Sequence, residues 1–212
     1  MTDLFPDVVR TDRLRLVRET DAYVDLAERY ASLAADSVSD EEVEYAGVET
    51  FEHLGDAREY VERREDHWEE RRGVVYGIRP RDGERGAGEL AGEAELSMDW
   101  PQRAGHLSCS LRKPFWGRGY SGERAAALIA LAFERFDLEV VRTCHAVGNE
   151  NSRRAVETYV ERFGGERTAR TRNEGRLDGE PCDLVWYTIP RRGYADSGER
   201  PPVAFRDGGA GA

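Results

Sequence analysis

Lysine is almost absent: of 31 basic residues, all but Lys113 are arginine. Cysteine is scarce as well. Cys109, Cys144 and Cys182 are too few and too scattered for a disulfide framework or a zinc site, so no metal is expected. No run of about 18 apolar residues occurs, which excludes a helix that spans a membrane. The opening residues have no apolar run behind a basic start, so a cytoplasmic protein without a secretory signal is expected. Apolar residues make up 39% and charged residues 34% of the chain, against about 45–50% and 25% in an average globular protein. The net charge of −11 argues against general nucleic-acid binding, which depends on neutralising phosphates. Acidity with so little lysine is the pattern expected of a protein adapted to concentrated salt, where surface charge maintains solubility. A cationic substrate fits this balance, although at molar salt the Debye length of about 3 Å leaves little steering.

What remains is patterned. Asp12 to Val17 alternates as a strand, and Ala22, Leu26 and Tyr30 place a short helix over Asp21 to Tyr30. Asp36 to Thr50 reads as an acidic loop. A helix over Asp56 to Arg71 carries Ala57, Tyr60, Val61, Arg64, His67 and Trp68 on one face, and His67 reads as a half-buried helix histidine. Three extended segments follow, Val74 to Ile78, Glu89 to Met98 and His106 to Leu111, separated by turn chemistry at Arg81–Gly88 and Asp99–Gly105. Then come a helix over Ser121 to Phe136, a strand over Val140 to Val147 and a helix over Ser152 to Phe163. The strands Glu166 to Thr171 and Cys182 to Ile189 close the pattern through Asp178-Gly179. Residues 191–212 turn to glycine, proline, serine and charge and read as a flexible tail behind a domain of residues 1–190. Antiparallel runs first and strand–helix alternation later make this an α+β chain with a mixed sheet, not a doubly wound one.

The most informative stretch is Leu111 to Arg124, where a strand ends, a glycine-bearing loop turns and an amphipathic helix begins. Unpaired amides at a helix start, with the positive end of the dipole behind them, suit a phosphate or pyrophosphate. Gly117-x-Gly119-x-x-Gly122 formally matches the dinucleotide fingerprint, with Glu139 near the distance of its ribose-binding acid. However, five residues including Pro114 part Leu111 from Gly117, and no alternating parallel strands precede them.

Trp116-Gly117-Arg118-Gly119-Tyr120-Ser121 instead resembles the acyl-CoA pyrophosphate loop of the GNAT acetyltransferases, and most closely their RimJ/RimL-like branch. Thr11 to Leu16 is similar to that branch's opening strand, and Asp99-Trp100 to its turn before the fourth strand. Asn149 to Arg154 is similar to its Asn-x-x-Ser-Arg-Arg segment, and Asp178-Gly179 with Asp183 to Tyr187 to its closing hairpin. The chain departs from the pattern at Ser121-Gly122 and at Tyr159 to Gly165.

The resemblance implies a GNAT fold of about seven strands and four helices. It also implies direct transfer of an acetyl group from acetyl-CoA to a primary amine in a ternary complex. The acceptor would be a protein N-terminus, such as that of a ribosomal protein, or a small amine, and a homodimer is possible. Cofactor contacts would come from Cys109, Ser110 and Leu111 on the strand, from Trp116, Gly117, Arg118, Gly119, Tyr120, Ser121 and Gly122 in the loop, and from Asn149 and Ser152. Glu93 and Glu95, which share a strand face because their spacing is two, and Glu174 beside the final hairpin are the candidate bases. Ser152 and Tyr159 compete as the acid. Ser152 also fits a helix cap, and Tyr159 also fits core packing. Cys109 and Cys144 read as packing cysteines. The alternative from another class is an acyl-CoA-binding sensor without turnover. Acceptor choice is expected to lie in residues 36–56 and the final hairpin.

Overall fold

The computed structural model describes residues 4–46, 50–177 and 179–207. Residues 47–49 of the expected loop, Asp178 of the expected hairpin turn and 208–212 of the expected tail lie outside this set.

The chain opens with strands β1 (Val8–Arg10) and β2 (Leu14–Arg18), then helices α1 (Leu26–Leu33), α2 (Asp40–Ala46) and α3 (Leu54–Glu69). A meander of β3 (Gly73–Pro80), β4 (Gly92–Asp99) and β5 (Ala104–Leu111) follows, then helix α4 (Tyr120–Ala130) and strand β6 (Val140–Ala146). Helix α5 (Glu150–Arg162), the hairpin β7 (Glu166–Leu177) and β8 (Glu180–Pro190), helix α6 (Arg191–Ser197) and β9 (Ala204–Arg206) complete it. One sheet runs in the order β7-β8-β6-β5-β4-β3-β2-β1-β9. Among the described residues it therefore has nine strands rather than about seven, and six helices rather than about four, and the mixed, mostly antiparallel α+β class holds.

Alternation along the central strands decides which helices lie where. Leu96, Leu107 and Val141 point to one face and are buried against α4 and α5. Glu93, Glu95 and Ser108 point to the other, toward α1 and α3. The parallel pair β5–β6 is short: it holds from Ala104↔Val140 to Leu107↔Thr143. Beyond that point β5 continues to Leu111 and β6 to Ala146, and the two strands part. On the other side of β5, Gly92 has φ 149°, and a Cβ there would strike the Ser110 carbonyl. Only glycine lets β4 lie that close where β5 turns away.

Several boundaries differ from the sequence reading for local reasons. The first helix starts at Leu26 because the Asp25 carboxylate accepts from the amides of Ala27 (2.9 Å) and Glu28 (3.2 Å) and caps it there. Residues expected as loop contain α2, whose first turn carries Asp40, Glu41 and Glu42 at the positive end of the dipole. Glu42 also accepts from the Ser39 amide at 2.9 Å. The long fourth helix widens into a π-helical turn over Leu131–Arg135, with the Phe136 amide bonded to Leu131 O at 3.0 Å.

The expected tail is the largest difference. Tyr194 is buried, its ring 5.1 Å from Phe133 and 5.9 Å from Phe163, and its hydroxyl donates to Glu134 at 2.6 Å. Phe205 pairs with Val9 as β9 extends the sheet. These two aromatics, the β1–β9 pairing and ion pairs such as Arg162–Glu199 and Arg135–Asp207 hold residues 191–207 on the domain.

Candidate active site

The loop after β5 is built to leave amides open. Gly117 (φ 74°) and Gly119 (φ 78°) adopt left-handed conformations that other residues resist. Gly119 caps α4 with no side-chain hydrogen bond, so the first amides of that helix have no capping group. The chain start pins this loop from behind. Arg13 donates from Nη1 to Arg118 O at 2.9 Å and from Nε to Glu123 at 2.7 Å, and Thr11 donates to Glu123 at 2.6 Å. Arg118 folds away from the loop mouth: its guanidinium donates to Arg85 O and Pro114 O, both at 2.7 Å, and lies 5.0 Å over the Phe115 ring. Trp116 fixes the rim by donating to Leu111 O at 2.6 Å.

A second helix start faces the first. The Asn149 carbonyl oxygen accepts from the Ser152 amide at 2.9 Å at the head of α5. Between the two helix starts lies a cavity of about 620 Å³ lined by Cys109, Leu111, Phe115, Trp116, Gly117, Gly119, Tyr120, Ser121, Gly122, Asn149 and Ser152. Asn151, Arg154, Ala155 and Thr158 complete its wall. Two positive dipole ends and glycine-exposed backbone fit an anionic, extended ligand such as a pyrophosphate-bearing arm. Arg154, whose guanidinium donates to Asn151 at 2.6 Å, is the cation that the sequence reading missed. The Arg-Arg pair was legible there, but not which of its members faces the cavity.

On the other face of the sheet a cavity of about 270 Å³ is lined by Glu93, Glu95, Ser108 and Ser110, with Tyr60, Arg64, Arg29, Val38 and Glu42 among its other walls. Cys109 and Leu111 border both cavities, so the two adjoin across β5 where it leaves β6. Helix α2 closes the smaller one, held by Glu42 accepting from the Lys113 amide at 2.9 Å. Ser110 faces this smaller cavity rather than the larger.

The two carboxylates on β4 stand in different surroundings. The Glu93 side chain is 11% exposed and lies 3.1 Å from Arg29, itself 2% exposed and also paired with Glu19. The Tyr60 hydroxyl donates to Glu93, and Arg64 donates to that hydroxyl at 2.8 Å. Burial, reinforced by the Glu93 charge, pushes the Tyr60 hydroxyl well above the usual phenol range. Burial also raises the Glu19 carboxyl against the pull of Arg29. Among the described residues, Glu95, 25% exposed, accepts from the neutral donors Ser97 at 2.6 Å and Ser108 at 3.2 Å, with His67 Nε2 at 3.6 Å. Burial holds His67 below the usual imidazole range, which keeps it neutral near pH 7.

The remaining candidates are spread out. Glu174 lines neither cavity; it accepts from Trp186 Nε1 at 3.1 Å on the exposed hairpin. Ser152 lines the larger cavity, whereas the buried Tyr159 hydroxyl lies behind it, 2.9 Å from Thr143 Oγ1. The structure does bring one cysteine to a histidine, with Cys144 Sγ 3.9 Å from His106 Nε2. Burial pushes the Cys144 thiol up to about 11 and His106 down, the opposite of an activated pair. Burial raises the Cys109 thiol as well.

Comparisons with known proteins agree with this architecture. The acetyltransferase (GNAT) domain family matches residues 13–159, more than half of the chain. A Bacillus subtilis (strain 168) protein named "Putative ribosomal N-acetyltransferase YdaF" is 33% identical over 106 residues, 50% of this chain and 56% of that protein. The chain thus spans about half the length of this curated relative. A solved structure described as a "putative acetyltransferase" from T. thermophilus is 24% identical with a TM-score of 0.68, covering 91% of this chain and 94% of that one. Spermidine N-acetyltransferase from Vibrio cholerae, solved with CoA and spermine, is 15% identical with a TM-score of 0.66, covering 86% and 98%.

Proposed function

The chain belongs to the GNAT acetyltransferase family, and on that premise we propose that it transfers the acetyl group of acetyl-CoA to a protein N-terminal α-amino group. One observation carries the reading: two cavities on opposite faces of the sheet share Cys109 and Leu111 as a wall, where β5 and β6 part. The larger takes the CoA arm, with its pyrophosphate on the amides that Gly117 and Gly119 expose. The smaller takes the amine. Main-chain groups of β5 beyond Leu107, free of β6, bind the arm and stabilise charge developing on the thioester oxygen.

An α-amine suits the residues available. Its pKa near 8 leaves about a tenth of it as free base at pH 7, against well under a thousandth for a lysine amine near 10.4. Water relayed by one carboxylate then suffices as base. We assign that role to Glu95, which accepts from two serine hydroxyls, while Glu93 is engaged by Arg29 and Tyr60. Ser152, on the wall of the CoA cavity, is the hydroxyl placed to return a proton to sulfur. The B. subtilis relative's name points to ribosomal N-acetylation. A small amine is the second reading, favoured by the small volume and the carboxylates of the acceptor cavity.

Calorimetric titration with acetyl-CoA, followed by CoA-release assays on peptides with free N-termini and on small amines, tests this. Turnover on peptides supports the proposal, and turnover on small amines alone replaces the acceptor. Binding without turnover on any amine makes the chain a sensor, and no binding by folded protein refutes the acyl-CoA reading.

A further inference from the structure

A cation is buried behind the junction of the two cavities. Arg124, one turn into α4, is 3% exposed. Its Nε and Nη1 atoms have no hydrogen-bond partner, and no carboxylate among the described residues pairs with it. The contrast with Arg29, equally buried and flanked by Glu19 and Glu93, is direct. The residues that follow Arg124, Ala125 to Ala130, are all buried and apolar, so packing alone would favour another aliphatic there. A buried cation that bonds the Cys109 thiol and the Tyr159 hydroxyl but leaves two donors open and has no carboxylate beside it gains when an anion arrives to meet it.

The surroundings say where that anion would stand. Arg124 Cζ lies 5.8 Å from the Tyr159 ring centre. Its charge pulls the Cys109 thiol and the Tyr159 hydroxyl toward ionisation, against the burial of both. Cys109, with Leu111, borders both cavities. On this face of the sheet the titratable groups beside it are Cys109 from β5 and Tyr159 from α5, while His106 on β5 and Glu93 on β4 point to the opposite face and interact with Arg124 and Cys109 across the sheet.

We propose that Arg124 is the counter-charge for the sulfur that leaves acetyl-CoA. The inference rests on the acyl-CoA reading above. In the step it serves, the amine lone pair forms the new N–C bond while the C–S bond breaks and its electron pair goes to sulfur. The amine proton passes through water to Glu95 and then to solvent, and sulfur remains an anion until it takes a proton from solvent by way of Ser152 and CoA is released. Arg124 does not line either cavity, so it is a positioning residue that acts by its field from behind Cys109.

The test is the acidity of the bound product thiol. CoA bound to the full chain is titrated by ultraviolet thiolate absorbance, as a difference against the complex with desulfo-CoA. Free CoA is an alkyl thiol that is almost wholly protonated near neutral pH, and a cation in this position should lower its pKa, making bound CoA at least about tenfold richer in thiolate there. Arg124→Met should remove the enrichment, Arg124→Lys should restore part of it, and desulfo-CoA affinity should be the same in all three proteins. The wild-type titration needs no variant to fold. A bound thiol no more acidic than free CoA, or equally acidic in wild type and Arg124→Met, overturns the inference. So does tenfold tighter binding of a carboxylated acyl-CoA such as succinyl-CoA than of acetyl-CoA that Arg124→Met abolishes, since the anion would then be on the acyl group. Failure of wild type to bind either CoA or desulfo-CoA instead refutes the acyl-CoA reading itself.

Discussion

Glu93 and Glu95 are two residues apart on one face of β4, yet removing each should damage a different property. Glu93 is the shared carboxylate of a largely buried cluster, with Arg29 at 3.1 Å and the Tyr60 hydroxyl bonded to it. Glu93→Ala leaves Arg29 with Glu19 alone and strands the Tyr60 hydroxyl proton. Breaking a buried ion pair from one side costs about 3–5 kcal/mol. Arg64, 3.7 Å away and 28% exposed, adds little. We expect a loss of about 3–4 kcal/mol, which for a chain of this size lowers Tm by roughly 10 °C. Glu95 is 25% exposed and accepts from two serines, so Glu95→Gln should cost less than about 1 kcal/mol. As the base, however, it should lose about 100-fold or more in kcat with its fold intact. Urea unfolding and steady-state kinetics on both variants decide the matter. If Glu93→Ala is as stable as wild type, the cluster does not hold the fold together. If Glu95→Gln keeps full kcat, the base is elsewhere.

The loop offers a cleaner test of binding: Gly119→Trp should abolish acetyl-CoA binding in calorimetry while far-ultraviolet circular dichroism stays native, and unchanged affinity would place the cofactor elsewhere. Tyr194→Ala should cost about 3 kcal/mol or more, the range for a buried aromatic, measured by urea unfolding; a cost near zero would make residues 191–207 the loose tail their composition suggests. His67 and His106 are both held below the usual imidazole value by burial, so the unfolded chain binds protons first. Their stabilising contribution is present above pH ~6.5 and is lost as pH falls through their folded values. Replacing both with Gln should flatten the decline in Tm between pH 6.5 and 5.5, and an unchanged slope would refute this. Salt adaptation predicts a Tm that rises from dilute buffer to molar KCl as the −11 charge is screened, and a flat or falling Tm would count against it.

Repeating geometry was legible in the residues, and single contacts were not. The helices over Leu54–Glu69 and Glu150–Arg162 and the central strands follow from apolar spacing, because burial of one face determines them. The helix start at Leu26 depends instead on one carboxylate, Asp25, reaching two amides. The fold of residues 191–207 depends on Tyr194 finding a slot between Phe133 and Phe163, rings far away in sequence. Composition averages such contacts away. The site divides in the same manner. The Gly117–Gly119 loop is local, since positive φ and an uncapped helix start are properties of consecutive residues, and it could be read directly. Whether Glu93 or Glu95 is available as a base is decided by Arg29 and Tyr60, which come from two other helices, and spacing along β4 treats the two as equals. Arg124 was invisible for the same reason. In the sequence it is one of many arginines in a highly charged chain, and only packing shows that, unlike Arg29, it is buried without a carboxylate.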